Sequence, residues 1–118
     1  MMTKNEYIIY LFKQNFSRFK DKKIVLYGKG PVTKLIIEHF KDYNIVGIMD
    51  RGLKHGVIYG KSVLSVLDLP YHDIDIIIPV ARPESIKEIF TRISGDCERY
   101  HIKLYGLNGE NLFEAYAN

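Results

Sequence analysis

Short apolar runs alternate with segments of helical periodicity along most of this chain. The runs at 23–27, 44–49, 75–80 and 102–105 have the length and the β-branched content of strands. Apolar residues recur at helical spacing over 31–41 and again after residue 82. Strands that alternate with helices favour a parallel sheet covered on both faces. The pattern therefore predicts an α/β fold, a three-layer domain with a mainly parallel sheet.

An amphipathic helix is predicted before the first strand, within residues 1–21. Thr3 and Glu6 have the spacing of a capping box at its start. One apolar stripe follows at helical spacing: Ile8, Leu11, Phe12, Phe16 and Phe19. This stripe is predicted to pack on the domain, and it also suits a homodimer seam or a contact with an adjacent catalytic domain.

The remaining boundaries follow from turn residues and breakers. The main domain is predicted to span 22–107, and a helical tail 108–118. A loop is expected over 51–60, ending in a short extended segment, and a helical or extended crossover over 62–69, ended by Pro70. Pro79 is expected at the end of its strand because a central strand needs every N–H donor. The residues of helix 31–41 expected to face the sheet are Val32, Leu35, Ile36 and Phe40.

The strongest sign of a binding site is the passage from the first strand into Gly28-Lys29-Gly30, with a helix opening at Pro31. Gly28 allows a sharp turn, and Gly30 lets the backbone approach a phosphate without an intervening Cβ. The first turn of the helix presents unpaired N–H groups and a positive dipole end to an anion. This is a dinucleotide-binding fingerprint whose third glycine is replaced by Thr33.

Asp50 stands at the end of the second strand. Its distance in sequence from the glycine turn is close to the roughly 20 residues at which dinucleotide-binding units place an acidic residue that binds the ribose hydroxyls. Ligands of open parallel sheets bind at the carboxyl ends of the strands, where the strand order reverses. The predicted binding residues are Gly28, Lys29, Gly30, Pro31, Val32, Asp50, Arg51, Ala81 and Arg82. Among them Arg82 is a candidate phosphate clamp. The predicted ligand is a nucleotide, either NAD or a nucleotide-sugar, and Asp50 favours a free ribose diol over a 2′-phosphate.

Four motifs in order resemble a group of small Rossmann-like domains. They are Gly28-Lys29-Gly30, Gly47-Ile48-Met49-Asp50, Gly60-Lys61-Ser62-Val63 and the run 75–80. Such domains stand at the N-terminus of bacterial sugar O-acyltransferases and other surface-polysaccharide biosynthesis proteins, and a similar one accompanies haloacid-dehalogenase-like proteins. The resemblance covers about 80 residues of the 118. It implies binding of a nucleotide or sugar-nucleotide, with the chemistry performed by another domain.

Composition and the absence of other motifs narrow the alternatives. A net charge of +3 without interleaved aromatic and basic residues gives no reason to expect nucleic acid, and no apolar stretch has the length of a membrane span. Cys97, the single cysteine, is typical of a reducing compartment and predicts a cytoplasmic protein. No catalytic set and no metal-ligand spacing is visible. A binding module is therefore favoured over an enzyme, while a degenerate scaffold used for protein interaction and a small NAD-dependent oxidoreductase remain open.

Overall fold

The computed structural model describes residues 1–117; residue 118, the last of the predicted helical tail, lies outside the described part. The helices are α1 (Lys4–Phe16), α2 (Pro31–His39), α3 (Pro83–Arg99) and α4 (Leu112–Ala115). The strands are β1 (Ile24–Tyr27), β2 (Ile45–Met49), β3 (Val57–Ile58), β4 (Lys61–Val63), β5 (Ile76–Pro79) and β6 (Lys103–Leu104). Both ends of the predicted capping box at α1 are made, because the Thr3 and Glu6 side chains each accept the backbone N–H of the other residue.

The strands form one sheet in the order β3-β4-β2-β1-β5-β6. All neighbours are parallel except β3 and β4, which form an antiparallel hairpin at one edge. The chain adds β2 on one side of β1 and later adds β5 on the other side of β1. The strand order therefore reverses beside β1, and the carboxyl ends of β1, β2 and β5 meet there. This arrangement confirms the predicted α/β class with a mainly parallel sheet.

Two apolar layers cover the two faces of the sheet. Alternate β1 residues divide between them, with Ile24 and Leu26 in one core and Val25 and Tyr27 in the other. α1 and α2 cover the first face, and α3 with the C-terminal segment covers the second. The alternation of a strand's side chains, together with burial on both faces, explains why β1 is apolar at every position.

Three residues of the predicted apolar stripe, Ile8, Phe12 and Phe16, are buried within the chain, and Leu11 and Phe19 are partly buried. The Phe12 ring centroid lies 4.6 Å from that of Phe40 and 5.4 Å from that of Tyr43. Phe16 approaches Tyr105, just beyond β6, at 6.2 Å. The stripe thus packs on the domain, and within residues 1–117 no helix is long and apolar enough to cross a membrane.

One detail of the prediction after the loop 51–60 is wrong. The crossover over 62–69, expected to be helical or extended, contains both a short strand, β4, which lies between β3 and β2, and the start of a 3₁₀ segment, Val66–Tyr71. Pro70 lies inside that segment instead of ending it. This 3₁₀ segment of six residues tolerates the proline because the missing N–H removes only one bond of a short, weak ladder.

The inward face of α2 is also shifted. Thr33 and Ile37 are buried together with Ile36, whereas Val32 and Leu35 are only partly buried. The helix ends at His39 instead of Lys41. α1 lies beside α2, so apolar residues of α2 that were expected on the sheet also contact a helix. Helical periodicity alone does not distinguish these two surroundings.

Candidate functional site

The first glycine of the turn is required by the fold itself. Gly28 has φ +135°, and a Cβ built on it would lie 2.7 Å from the Val80 carbonyl oxygen. Its N–H donates to the Met49 carbonyl at 2.7 Å. This residue therefore joins the carboxyl ends of β1, β2 and β5 at a point where a side chain does not fit.

The second glycine of the turn has no such constraint. Gly30 has the ordinary backbone angles φ −79° and ψ −175° and is the N-cap residue of α2. A Cβ built on it would have no neighbouring atom within 4 Å. No atom of residues 1–117 excludes a side chain here, and serine, aspartate and asparagine rank above glycine as N-cap residues.

The start of α2 lies at this turn. Pro31 is the first helical residue, where its missing N–H costs nothing, and the next N–H groups have no partner within the helix because of their position. The Lys29 carbonyl accepts a hydrogen bond from the Tyr59 hydroxyl at 2.7 Å, and Tyr59 belongs to the turn between β3 and β4. This hydrogen bond connects the β3–β4 hairpin to the glycine turn.

A cleft of about 340 Å³ opens where the three strand ends meet. Of the predicted residues it is lined by Gly28, Lys29, Gly30, Asp50, Arg51 and Ala81. Tyr27, Val80, Ser85, Glu88, Ile89 and Arg92 complete it. Pro31, Val32 and Arg82 do not line it: Val32, on α2, is partly buried against the core, and Arg82 is the exposed N-cap residue of α3.

Asp50 lies at the end of β2 beside this cleft. Its Oδ1 accepts the Gly52 N–H at 2.9 Å, which shapes the turn that follows the strand. Among residues 1–117 no hydrogen bond reaches Oδ2. The carboxylate is therefore held in a fixed direction while keeping acceptor capacity for a ligand.

On the opposite wall, one carboxylate holds two arginines. Glu88 Oε1 lies 3.1 Å from Arg51 Nη1 and 2.7 Å from Arg92 Nη2. Arg92 Nη1 also donates to the Tyr27 hydroxyl at 3.4 Å. The hydrogen bond to Tyr27, and next that to Glu88, raise the pKa of Arg92, so its guanidinium keeps a permanent charge.

Two further cavities adjoin the cleft. One, of about 140 Å³, shares Tyr27, Asp50, Arg51 and Arg92 with it. Its other lining residues are Met49, Leu53, Lys54, Leu64, Ser65, Val66 and Ile93. The lining of this slot is mostly apolar.

The second cavity, of about 270 Å³, lies on the other side of Ala81, at the ends of β5 and β6. It is lined by residues of α1, α3 and the C-terminal segment, including Leu11, Ile86, Asn108 and Glu110. Asn15 of α1 donates to the Leu107 carbonyl at 3.4 Å, which fastens the N-terminal helix to the C-terminal segment beside this cavity. Three cavities thus follow one another along the carboxyl edge of the sheet.

Sequence reasoning missed the α3 residues of the cleft. Glu88 and Arg92 have the i, i+4 spacing of an ion pair, and this spacing was the signal that the sequence offered.

Cys97 is buried, and burial, with a smaller contribution from Asp96, raises its pKa to about 12. Among residues 1–117 no group of three or more His, Cys, Asp or Glu side chains is placed to hold a metal ion.

Comparison with known proteins gives matches only among solved structures. No protein-family model matches the chain, and no curated protein matches it. The chain is similar to RSP, a Rex-family repressor, at 20% identity and a TM-score of 0.52, over 83% of this chain and 52% of that chain. It is also similar to RSP in complex with beta-NADH, at 20% identity, a TM-score of 0.51 and the same coverage. The chain therefore spans about half the length of these proteins, and the likeness shows that its fold is Rossmann-like.

Proposed function

We propose that this chain is a nucleotide-binding module whose ligand is NAD or NADH. The observation that carries the proposal is Gly30, a residue whose lack of a side chain is explained by no contact within the protein. It lies beside the open end of a nine-residue helix and lines the cleft that leads to Asp50. A phosphate that approaches this backbone would require a glycine here.

The order of the cavities suits a dinucleotide. The diphosphate would lie over Gly28 to Gly30 and the first turn of α2, near the ammonium group of Lys29. The adenosine ribose would donate its hydroxyls to Asp50, and adenine would enter the adjoining slot between Leu53, Leu64 and Val66. The second nucleoside would extend past Ala81 into the other cavity. The complex of RSP with beta-NADH supports NAD as the ligand, since the two chains share a fold.

A nucleotide-sugar is the second candidate. The cavity beyond Ala81 contains Asn108 and Glu110, whose side chains suit sugar hydroxyls as well as a nicotinamide amide. In that case the module would serve surface-polysaccharide metabolism and hold the substrate for a catalytic domain, as the motif resemblance implies. In both cases the chain holds or senses its ligand, and the cleft supplies no nucleophile with an adjacent base.

The test is a titration of the purified chain with NADH, NAD, UDP-glucose and ADP, followed by the melting temperature and by NADH fluorescence. The chain contains no tryptophan, so the fluorescence of NADH is read against a low protein background. Ligand at 100 times its Kd should stabilise the native state by about 2.7 kcal/mol. No stabilisation by any of the four ligands at millimolar concentration would refute nucleotide binding.

Gly30→Val should raise the Kd for the bound ligand at least about tenfold, because the side chain fills the space of the phosphate. Gly95→Val is the matched control. Gly95 is exposed on α3, a Cβ there also meets no atom within 4 Å, and it does not line the cleft. Equal affinities in the two variants would show that the glycine turn is not the phosphate site.

A further inference from the structure

In the cleft, a single carboxylate contacts two guanidinium groups. Arg51 and Arg92 come from different elements, the turn after β2 and helix α3, and both approach the same oxygen of Glu88. Arg51 directly follows Asp50, the proposed ribose acceptor. Both arginines near the proposed ribose position are therefore already paired within the protein.

This pairing affects one chemical distinction, that between a ribose with a free 2′-hydroxyl and one with a 2′-phosphate. A 2′-phosphate carries up to two negative charges and is bound by arginines, which match its oxygens in a bidentate manner. Arg51 is in the right place to provide such a contact, but Glu88 holds it. A 2′-phosphate at this position would also meet the negative charges of Asp50 and Glu88.

Building on the proposed function, we infer that Glu88 is a specificity-determining residue that makes the cleft select NADH over NADPH. It acts by holding Arg51 and Arg92 and by adding a second carboxylate near the 2′-position. Asp50 accepts the ribose hydroxyls, whereas Glu88 removes the cations that a 2′-phosphate needs. Glu88 is thus a positioning residue, and its effect falls on the ratio of the two affinities.

The test measures the Kd of NADH and of NADPH for the native chain and for Glu88→Gln. The variant keeps the size of the side chain and removes its charge, which releases the two arginines. We expect NADPH to bind about tenfold more tightly to the variant than to the native chain, while the Kd for NADH changes less than about threefold. NADPH binding should also become more sensitive to salt, because freed cations contribute to it.

Two further variants identify the origin of the change. Glu84→Gln removes the same charge one turn earlier on α3, from a residue that does not line the cleft, and should leave the affinity ratio unchanged. Adding Arg51→Ala to Glu88→Gln should abolish most of the gain in NADPH affinity. A Glu88→Gln ratio equal to that of the native chain, or an equal change in Glu84→Gln, would overturn the inference while the proposed function stands. Failure of the native chain to bind either dinucleotide would overturn the proposed function and this inference with it.

Discussion

The two glycines of the turn should respond in opposite ways to the same substitution. In Gly28→Ala the new Cβ meets the Val80 carbonyl oxygen at 2.7 Å, and the residue must keep φ +135°. The backbone conformation alone costs about 1–3 kcal/mol for a residue with a side chain, and the contact with a backbone oxygen of β5 adds to this. We therefore expect Gly28→Ala to lower the free energy of unfolding by about 3 kcal/mol. Gly30→Ala, with ordinary angles and open space, should change it by less than about 1 kcal/mol.

Urea unfolding followed by far-ultraviolet circular dichroism measures both values. With a slope of about 1–3 kcal/mol per molar urea, the Gly28→Ala midpoint should fall by at least about 1 M with an unchanged slope. The melting temperature should fall by about 10 °C. The binding assay should show the reverse order, with Gly30→Ala folded and weakened in NADH affinity. If Gly28→Ala is as stable as Gly30→Ala, the assignment of one glycine to the fold and the other to the ligand is refuted.

Three further predictions concern the core. Phe12→Ala should lower the free energy of unfolding, measured in urea, by about 3–5 kcal/mol, because the Phe12 ring is fully buried. Tyr10 is half-exposed, so Tyr10→Ala should lower it by less than about 0.5 kcal/mol. Equal losses in the two variants would contradict the packing of α1. Thr33→Val should raise the urea midpoint by the equivalent of about 1 kcal/mol, since the buried Thr33 hydroxyl has no partner among residues 1–117; a fall would reveal a hidden partner. Burial raises the pKa of Cys97 from 9.0 to about 12, so the native thiol should resist a disulfide reagent near pH 8 and react only on unfolding. The thiol of the unfolded chain ionises at a lower pH than the buried thiol of the native chain. The buried, protonated thiol therefore contributes to the free energy of unfolding below pH 9.0, and this contribution is lost as the pH rises towards about 12. Urea midpoints measured across that range would detect the loss.

The class of the fold was predictable because its central strands are buried on both faces. β1, β2 and β5 read as apolar runs, and Gly28, Asp50 and Pro79 mark where they end. The two strands of the hairpin beside β2 were harder to predict, since β3 has two residues and β4 has three. Strands this short are defined by their neighbours' hydrogen bonds rather than by their own apolar pattern. The crossover over 62–69 was therefore predicted only as helical or extended, without separating β4 from the 3₁₀ segment that follows it.

The site was predictable where the chain itself turns and not where a distant helix faces it. Gly28, Gly30 and Asp50 follow strands directly, so the carboxyl-edge rule places them together without knowledge of side-chain contacts. The position of Glu88 depends on the rotation of α3 about its axis, which the packing of Ile89, Ile93 and Cys97 fixes. Arg82 illustrates the same limit, because it directly follows the cleft-lining Ala81 and yet does not line the cleft.

The remaining alternative, a degenerate scaffold used for protein interaction, makes a different prediction at the same residue. If the cleft bound nothing, neither the fold nor a ligand would require Gly30 to be a glycine, and Gly30→Ser would be an improvement, because serine is a favoured N-cap residue. On the binding proposal the same change has two effects. The serine hydroxyl accepts the N–H groups of the first turn of α2, so stability rises by about 0.5 kcal/mol, and those N–H groups are withdrawn from the phosphate, so affinity falls. A Gly30→Ser chain that is more stable and binds NADH less tightly than the native chain would support the binding proposal, whereas a stabilised variant, with no NADH binding to it or to the native chain, would favour the scaffold.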